Sequence, residues 1–389
     1  MILYVHDHKF IYLKGEYYSE GKFTNEVFAR YNVFNTDINV LSRVVDNNNG
    51  GNLNKIDNSN VFFKSVRGVS FFSVFTKHFF INIFLILKLV KRSNVLIVRL
   101  PSFLGIFVLI VNVFFRRKYF VEFVGDPKEA LISSKDNINL FFNLFIKVLT
   151  KFNKFFVNNA DGVIYVTQYD LQKRYPTKKM QAYASNVEVN IKPIRLSIDN
   201  YKINNEIKVG LIGSFNNEYK GIGTALKAIK LLKNNNCNVC LHILGSGSLK
   251  DYYLEMAHNL GISKQVYFDG SLSGGEAVLN WLNELDLYIQ PSRTEGLPRA
   301  LIEAMSVGLP AIATNVGGIP ELLHKSDLID KDDELSLAQK IEFAIKSQQL
   351  RYEMGKRNYY KSLDYDSKRL KKIRFEFWKK AAEKINESN

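Results

Sequence analysis

Two glutamates, Glu295 and Glu303, are separated by seven residues in the stretch 291–322, PSRTEGLPRALIEAMSVGLPAIATNVGGIPEL. Each carboxylate oxygen accepts from a hydroxyl, and two hydroxyls on adjacent carbons match one carboxylate, so the pair suits a ribose or hexose ring. Glu295 stands just ahead of a helix expected over 297–308, and Glu303 lies two turns inside it. Arg299 precedes Glu303 by four, so a surface ion pair worth about 0.3–0.5 kcal/mol is the competing reading of that carboxylate. The stretch 209–223, VGLIGSFNNEYKGIG, reads as a strand ending at Gly213, a loop, then Lys220 and Gly221 opening a helix. A glycine at a strand end permits close backbone approach to phosphate, and a helix N-terminus offers free amides and a favourable dipole. Lys220 adds a mobile positive charge there, with a solvated lysine as the alternative. The run 242–247, HILGSG, adds a strand and a turn carrying Gly245 and Gly247. Gly317 and Gly318, ahead of an expected helix over 319–324, present further amides for a phosphate.

Other candidates carry less. His6, Asp7 and His8 follow the first strand but lack a third metal ligand in sequence, and the lone pair Cys237 and Cys240 lacks a partner pair, so it reads as a strand edge. The D-x-D patterns at 330–332 and 364–366 lie beyond the sugar-suited stretch and read as solvated helix caps. Asp126, in EFVGDP at a strand end, could orient a hydroxyl or take its proton; a turn-forming Asp before Pro127 is the alternative.

These residues need a scaffold. The 389 residues favour two domains of roughly 150–200 residues each. Short β-rich runs alternate with helical periods, the pattern of a doubly wound parallel sheet, and they do so in two series. The first has strands near 2–5, 38–41, 95–98, 119–124 and 163–166, with a long exposed loop over 46–60; the second has strands near 209–212, 239–244, 266–268, 287–289 and 311–313. The expectation is an α/β chain of two Rossmann-like domains, 1–200 and 206–365, joined by a polar linker at 199–205 and facing across a ligand-binding cleft. A basic amphipathic helix over 366–389, with Phe375, Phe377 and Trp378 for packing, is expected to cross back to the first domain.

A net charge of +15 calls for an acidic partner, and no aromatic-basic recognition motif points to nucleic acid. The charge-free run 100–115 contains Pro101 and Gly105 and is shorter than the roughly 20 residues a spanning helix needs, so no transmembrane helix is expected. No secretory signal is read at the start, and two cysteines fit a reducing cytoplasm. Over 139–158, Phe141, Phe145, Val148, Phe152 and Phe155 share one helical face with Lys147, Lys151 and Lys154 on its flank, so peripheral contact with an anionic membrane surface is expected.

The segment P-S-x-x-E-G, then E-A-M, G-L-P and G-G-I-P-E, resembles the donor-binding core of glycosyltransferase family 4, whose mark is two glutamates seven residues apart. The resemblance is motif-specific over about 209–322. It implies a GT-B type fold and a retaining transfer of a hexosyl unit from a nucleotide-sugar donor, with no cofactor and no metal required. By that resemblance Glu303 holds the ribose, Glu295 with the amides of Gly296 and Leu297 faces the transferred sugar, and Lys220 meets the leaving diphosphate. Gly15 and Gly21 resemble the family's loop on the acceptor side. The EFVGDP segment resembles one in polysaccharide-assembly members, which implies a lipid-linked oligosaccharide acceptor and a place on the inner face of a bacterial membrane. The family commonly has a basic residue where this chain has Ser214 and a second glycine where it has Pro298; Arg293 or Arg299 would then supply charge to the diphosphate. Competing readings are a nucleotide-sugar epimerase or phosphorylase of the same fold, and a non-catalytic membrane-associated scaffold.

Overall fold

The computed structural model describes residues 1–20, 23–46, 53–68, 73–74, 76–128, 140–187, 189–201 and 206–387, with 140 and 141 described by backbone only. The chain divides into two compact units, one holding Met1–Lys128, Asn139–Ala184 and Lys371–Asn389, the other Ser185–Leu370.

The first unit is built on β1 (Ile2–Leu13), β2 (Glu16–Glu20), β3 (Ile38–Asp46), β4 (Leu53–Ile56), β5 (Val61–Val66), β6 (Val95–Leu100), β7 (Lys118–Phe123), β8 (Gly162–Tyr165) and β9 (Met180–Tyr183). Seven of these run parallel in the order β5-β3-β1-β6-β7-β8-β9, so the strand order reverses between β1 and β6. Apolar runs such as the VLIV that opens β6 are buried throughout, as a sheet covered on both faces requires. Beyond a register shift between Val5 and Lys9, β1 continues into an antiparallel hairpin with β2, which in turn pairs β4. Lys14 and Gly15 turn that hairpin, with φ of 50° and 86°. The expected glycine loop is therefore a hairpin; Gly21 lies outside the described residues. Residues 53–56 of the expected 46–60 loop form β4, because the hairpin offers them an edge to pair with.

Among the described residues this sheet is accompanied by α1 (Asn25–Ala29), α2 (Phe79–Arg92), α3 (Phe103–Phe115), α4 (Leu140–Asn159) and α5 (Asp170–Arg174), besides the C-terminal helix. Right-handed crossovers in the same direction put α2, α3 and α4 on one face, where α3 packs against both neighbours. The β1-to-β3 connection runs the other way and carries Tyr31 to the opposite face. There Trp378, fully buried on the C-terminal helix, meets Tyr31 with ring centroids 5.0 Å apart and Phe120 at 6.2 Å.

The second unit has six parallel strands, β10 (Ile207–Ile212), β11 (Val239–Leu244), β12 (Val266–Gly270), β13 (Leu287–Gln290), β14 (Ala311–Thr314) and β15 (Leu328–Ile329), in the order β12-β11-β10-β13-β14-β15. The same reversal falls between β10 and β13. Helices α6 (Ile222–Asn234), α7 (Lys250–Asn259), α8 (Glu276–Asn283), α9 (Arg299–Ser306), α10 (Glu334–Ile345) and α11 (Gln348–Ser362) follow, and α12 (Ser367–Asn386) is the C-terminal helix, which belongs to the first unit from Lys371 onward. The unit boundary falls at Ala184 and Ser185, ahead of the polar segment read as a linker. Ile198–Tyr201 is instead a 3-10 turn of the second unit, since Tyr201 is buried and its hydroxyl donates to Gly308 O at 2.8 Å. Among the described residues no helix is long and apolar enough to cross a membrane.

Candidate active site

At a strand-order reversal the loops after two neighbouring strands part, and ligands of α/β sheets settle there. In the second unit those loops follow β10 and β13. Two glycines let the loop after β13 meet its neighbours backbone to backbone, Gly221 from the loop after β10 and Gly317 from the loop after β14. A Cβ on Gly221, at φ +69°, would lie 1.9 Å from Pro291 O, and one on Gly317, at φ +53°, 1.7 Å from Glu295 O. Arg293 N donates to Tyr219 O at 2.7 Å and Gly318 N to Gly296 O at 2.7 Å. Lys220 thereby sits beside Glu295.

Three donors converge on Glu295 Oε1: Lys220 Nζ at 2.6 Å, Ser292 Oγ at 2.8 Å and Gln290 Nε2 at 3.0 Å. Tyr288 donates its hydroxyl to Gln290 Oε1 at 2.7 Å, which fixes the amide so that its nitrogen faces the glutamate. Burial pushes the Tyr288 hydroxyl well above the ordinary tyrosine range, so it stays a donor. Thr314 Oγ1 donates to Ser292 O at 2.6 Å and ties β14 to the cluster. With Oε1 saturated, Oε2 has no protein donor among the described residues. Gln290 is wholly buried and was not singled out from sequence. Its signal was an amide closing the strand-forming run LYI at the mouth of the sheet.

Glu303 lies in α9, which starts at Arg299 with Pro298 as its N-cap, two residues later than expected because Pro298 holds extended backbone. Burial raises the Glu303 carboxyl above its ordinary range, and the Arg299 charge opposes that shift through space. The carboxylate lines a cavity of about 260 Å³ with Asn190, Lys192 and Glu276. Glu303 is therefore a partly desolvated cavity group, unlike a half of a surface pair.

Several expected phosphate amides are engaged elsewhere. Gly213 N donates to Leu244 O at 3.0 Å and Gly245 N to Gly270 O at 2.6 Å; with Gly318 N on Gly296 O, these three glycines stitch loops together. Gly247 O caps the start of α7 by accepting from Lys250 N at 3.4 Å. The helix expected over 319–324 is only the 3-10 turn Ile319–Glu321. Lys220 precedes its helix, in the 3-10 turn Glu218–Lys220. Gly296 and Leu297 stand half-buried in the turn between Glu295 and α9. Arg293 is no free cation: it bonds Asp332 at 2.7 Å and Glu218 at 2.9 Å, which clamps the Lys220 turn from outside.

The first unit's candidates serve its own fold. Asp126 is buried and bonds Arg174 at 2.6 Å, the Tyr175 hydroxyl at 3.1 Å and Lys128 N at 2.7 Å. The carboxylate expected to handle an acceptor proton thus staples the segment after β7 to α5. Asp7 accepts from Phe103 N at 2.6 Å and Leu104 N at 3.1 Å, where a carboxylate complements the start of α3. His8 Nε2 pairs with Ser19 Oγ at 2.8 Å, and His6 packs on Phe23. Gly15 turns the hairpin.

The family described as Glycosyl transferases group 1 matches residues 195–361. Protein CapJ of Staphylococcus aureus is 34% identical over 354 residues, 90% of this chain and 88% of that protein. The chain belongs to the group 1 glycosyl transferases. As a group 1 glycosyl transferase it is an enzyme, and the matched region contains Lys220, Gln290, Glu295 and Glu303. The amylovoran biosynthesis glycosyltransferase AmsK of Erwinia amylovora is 34% identical over 113 residues, 28% of each chain. Solved structures share the GT-B fold. Sucrose-phosphate synthase from Thermosynechococcus elongatus superposes with a TM-score of 0.69 over 98% of each chain at 15% identity. HepE of Anabaena in complex with UDP and glucose does so with a TM-score of 0.62 over 99% of each chain at 15% identity.

Proposed function

We propose that this glycosyl transferase is a retaining enzyme of family 4. It moves a hexosyl unit from a nucleotide-sugar donor to a lipid-linked oligosaccharide in the assembly of a bacterial surface polysaccharide or capsule. It works in the cytoplasm, peripherally on the inner face of the membrane, and requires no metal. The observation that carries this reading is the Lys220 and Glu295 pair at 2.6 Å, backed by buried Gln290 and Ser292 at the reversal of the strand order. Glu303 takes the ribose hydroxyls, Glu295 Oε2 with the Gly296 and Leu297 amides takes the transferred sugar, and Lys220 meets charge growing on the departing diphosphate. The acceptor hydroxyl attacks from the face the diphosphate leaves, and that diphosphate receives the proton. The name of the amylovoran biosynthesis glycosyltransferase AmsK supports the pathway, and HepE, also solved in complex with UDP-glucose, supports that sugar nucleotide as the first donor to try.

The test is a thermal-shift screen of UDP-hexoses, followed by transfer assays with product stereochemistry read by NMR. A bound donor at about 100 times its Kd stabilises by roughly 2.7 kcal/mol. Activity is expected to survive EDTA. Loss with EDTA that magnesium or manganese restores would refute metal independence, and an inverted product would refute retention.

A further inference from the structure

The three helices on one face of the first sheet leave unusual side chains in water. Phe80 and Phe84 of α2 are 84% and 71% exposed, and Phe114 of α3 is 82% exposed. Ile81 and Leu87 extend the α2 face, and Ile110 and Val113 the α3 face. On α4, Leu144, Phe145, Val148, Phe152 and Phe155 are likewise exposed, while Ile146, Leu149 and Phe156 point inward. The patch is continuous, because Phe79 of α2 contacts Phe107 of α3, and Phe103 of α3 stacks on Phe145 with centroids 5.8 Å apart. Soluble monomers rarely expose one apolar patch above about 300–600 Å².

The charges around the patch select its occupant. The three helices carry Lys88, Lys91, Arg92, Lys147, Lys151 and Lys154 and not one Asp or Glu. Arg116 stands exposed just beyond α3. A second copy docking through a two-fold axis would set these cations against themselves with no acid to pair. A bilayer with anionic headgroups meets both features, taking aromatics at the acyl boundary and lysines at the phosphates.

We infer that α2, α3 and α4 together form a flat bilayer-docking face that lies in an anionic lipid interface. This deepens the membrane reading above and rests on it, extending a single amphipathic helix to three. The charge-free run 100–115, too short to span a membrane, supplies α3, the middle helix of that face.

The experiment is flotation of the full chain with vesicles of phosphatidylcholine alone or mixed with phosphatidylglycerol. Binding to the mixed vesicles is expected, weakening but not vanishing at high salt. Phe84→Ser with Phe114→Ser removes exposed side chains only, and should weaken partitioning by about tenfold or more per aromatic, with an unchanged melting temperature. Changing Lys147, Lys151 and Lys154 to Gln should abolish the preference for phosphatidylglycerol. Wild-type binding undiminished by the Phe84 and Phe114 changes would overturn the three-helix face while leaving α4 as the contact. No vesicle binding at all would overturn both membrane readings, as would a dimer that the same two changes break. Donor binding by thermal shift is read in parallel, so failure here stays separate from failure of the transferase reading.

Discussion

The two units lay their strands in the same order and reverse it at the same place, yet the two reversals are filled differently. Between β10 and β13 the chain puts small residues and a converging polar set: Lys220, Gln290, Ser292 and Glu295. Between β1 and β6 it puts a bulge whose Asp7 caps α3, and rings of Tyr4, His6, His8 and Phe23 that pack on one another. Topology opens a crevice in either sheet; side chains decide whether it stays available to a ligand or closes as core. Arg99 and Glu122 illustrate the second outcome, a buried pair at 3.3 Å whose glutamate also accepts from Tyr31 at 2.9 Å.

The largest expected effect breaks one unit and spares the other. Trp378→Ala empties a fully buried site against Tyr31 and Phe120 and should cost about 3–5 kcal/mol. Hydrogen exchange should show β7 amides losing protection while β13 amides keep theirs; equal loss in both would mean the two cores are not separable. Next in size, Lys220→Ala should lower kcat about 100-fold to 1,000-fold, as loss of one oxyanion-hole donor does. Wild-type turnover in that variant, with the fold intact, would remove the second unit's polar cluster from catalysis.

Glu303→Gln sharpens the contrast further. Its donor KM should rise about 10-fold to 100-fold, the worth of a charged hydrogen bond of about 1.5–3 kcal/mol, with kcat nearly unchanged. Because burial raises the folded-state pKa, the stability this group contributes is present below its unfolded pKa and is lost as pH rises through the folded value. At neutral pH the variant should therefore melt no lower than the parent; a clear drop would mean the carboxylate is a structural group. The smallest effect belongs to the first unit. Burial, with Arg99 and Arg43 nearby, lowers His8 from 6.5 to about 4. Its contribution is present above pH 6.5 and lost as pH falls towards 4, so His8→Asn should flatten part of the acid slope of the melting temperature. An unchanged slope would assign that slope to other groups.

Ten of the parallel strands were readable because strands buried on both faces are mostly apolar, as the VLIV that opens β6 and the LYI that opens β13 are; β5, β9 and β15 were not read. Nor were β2 and β4. Glu16–Glu20 and Leu53–Ile56 carry polar residues; the first exists because the overlong β1 gives it backbone to pair with, and the second because β2 does. Likewise Tyr201 sits among polar neighbours, and only the pocket beneath Gly308 makes its segment part of the second unit.

Sequence alone determined the two α/β series, the placing of Glu295, Glu303 and Lys220 on loops and helix starts, and the basic, aromatic character of α4. Those properties are local, since periodicity and spacing act within a few turns of the chain. Tertiary structure decided which groups are spent and which remain free. The Gly213, Gly245 and Gly318 amides, the Arg293 cation and the Asp126 carboxylate all bond partners that are distant in sequence. It also brought Gln290 and Lys220 to one oxygen across 70 positions of chain, from Lys220 to Gln290. Hydrogen bonds reach only about 3 Å. Which donors meet one carboxylate is therefore settled by where the loops pack, and that depends on the whole sheet beneath them.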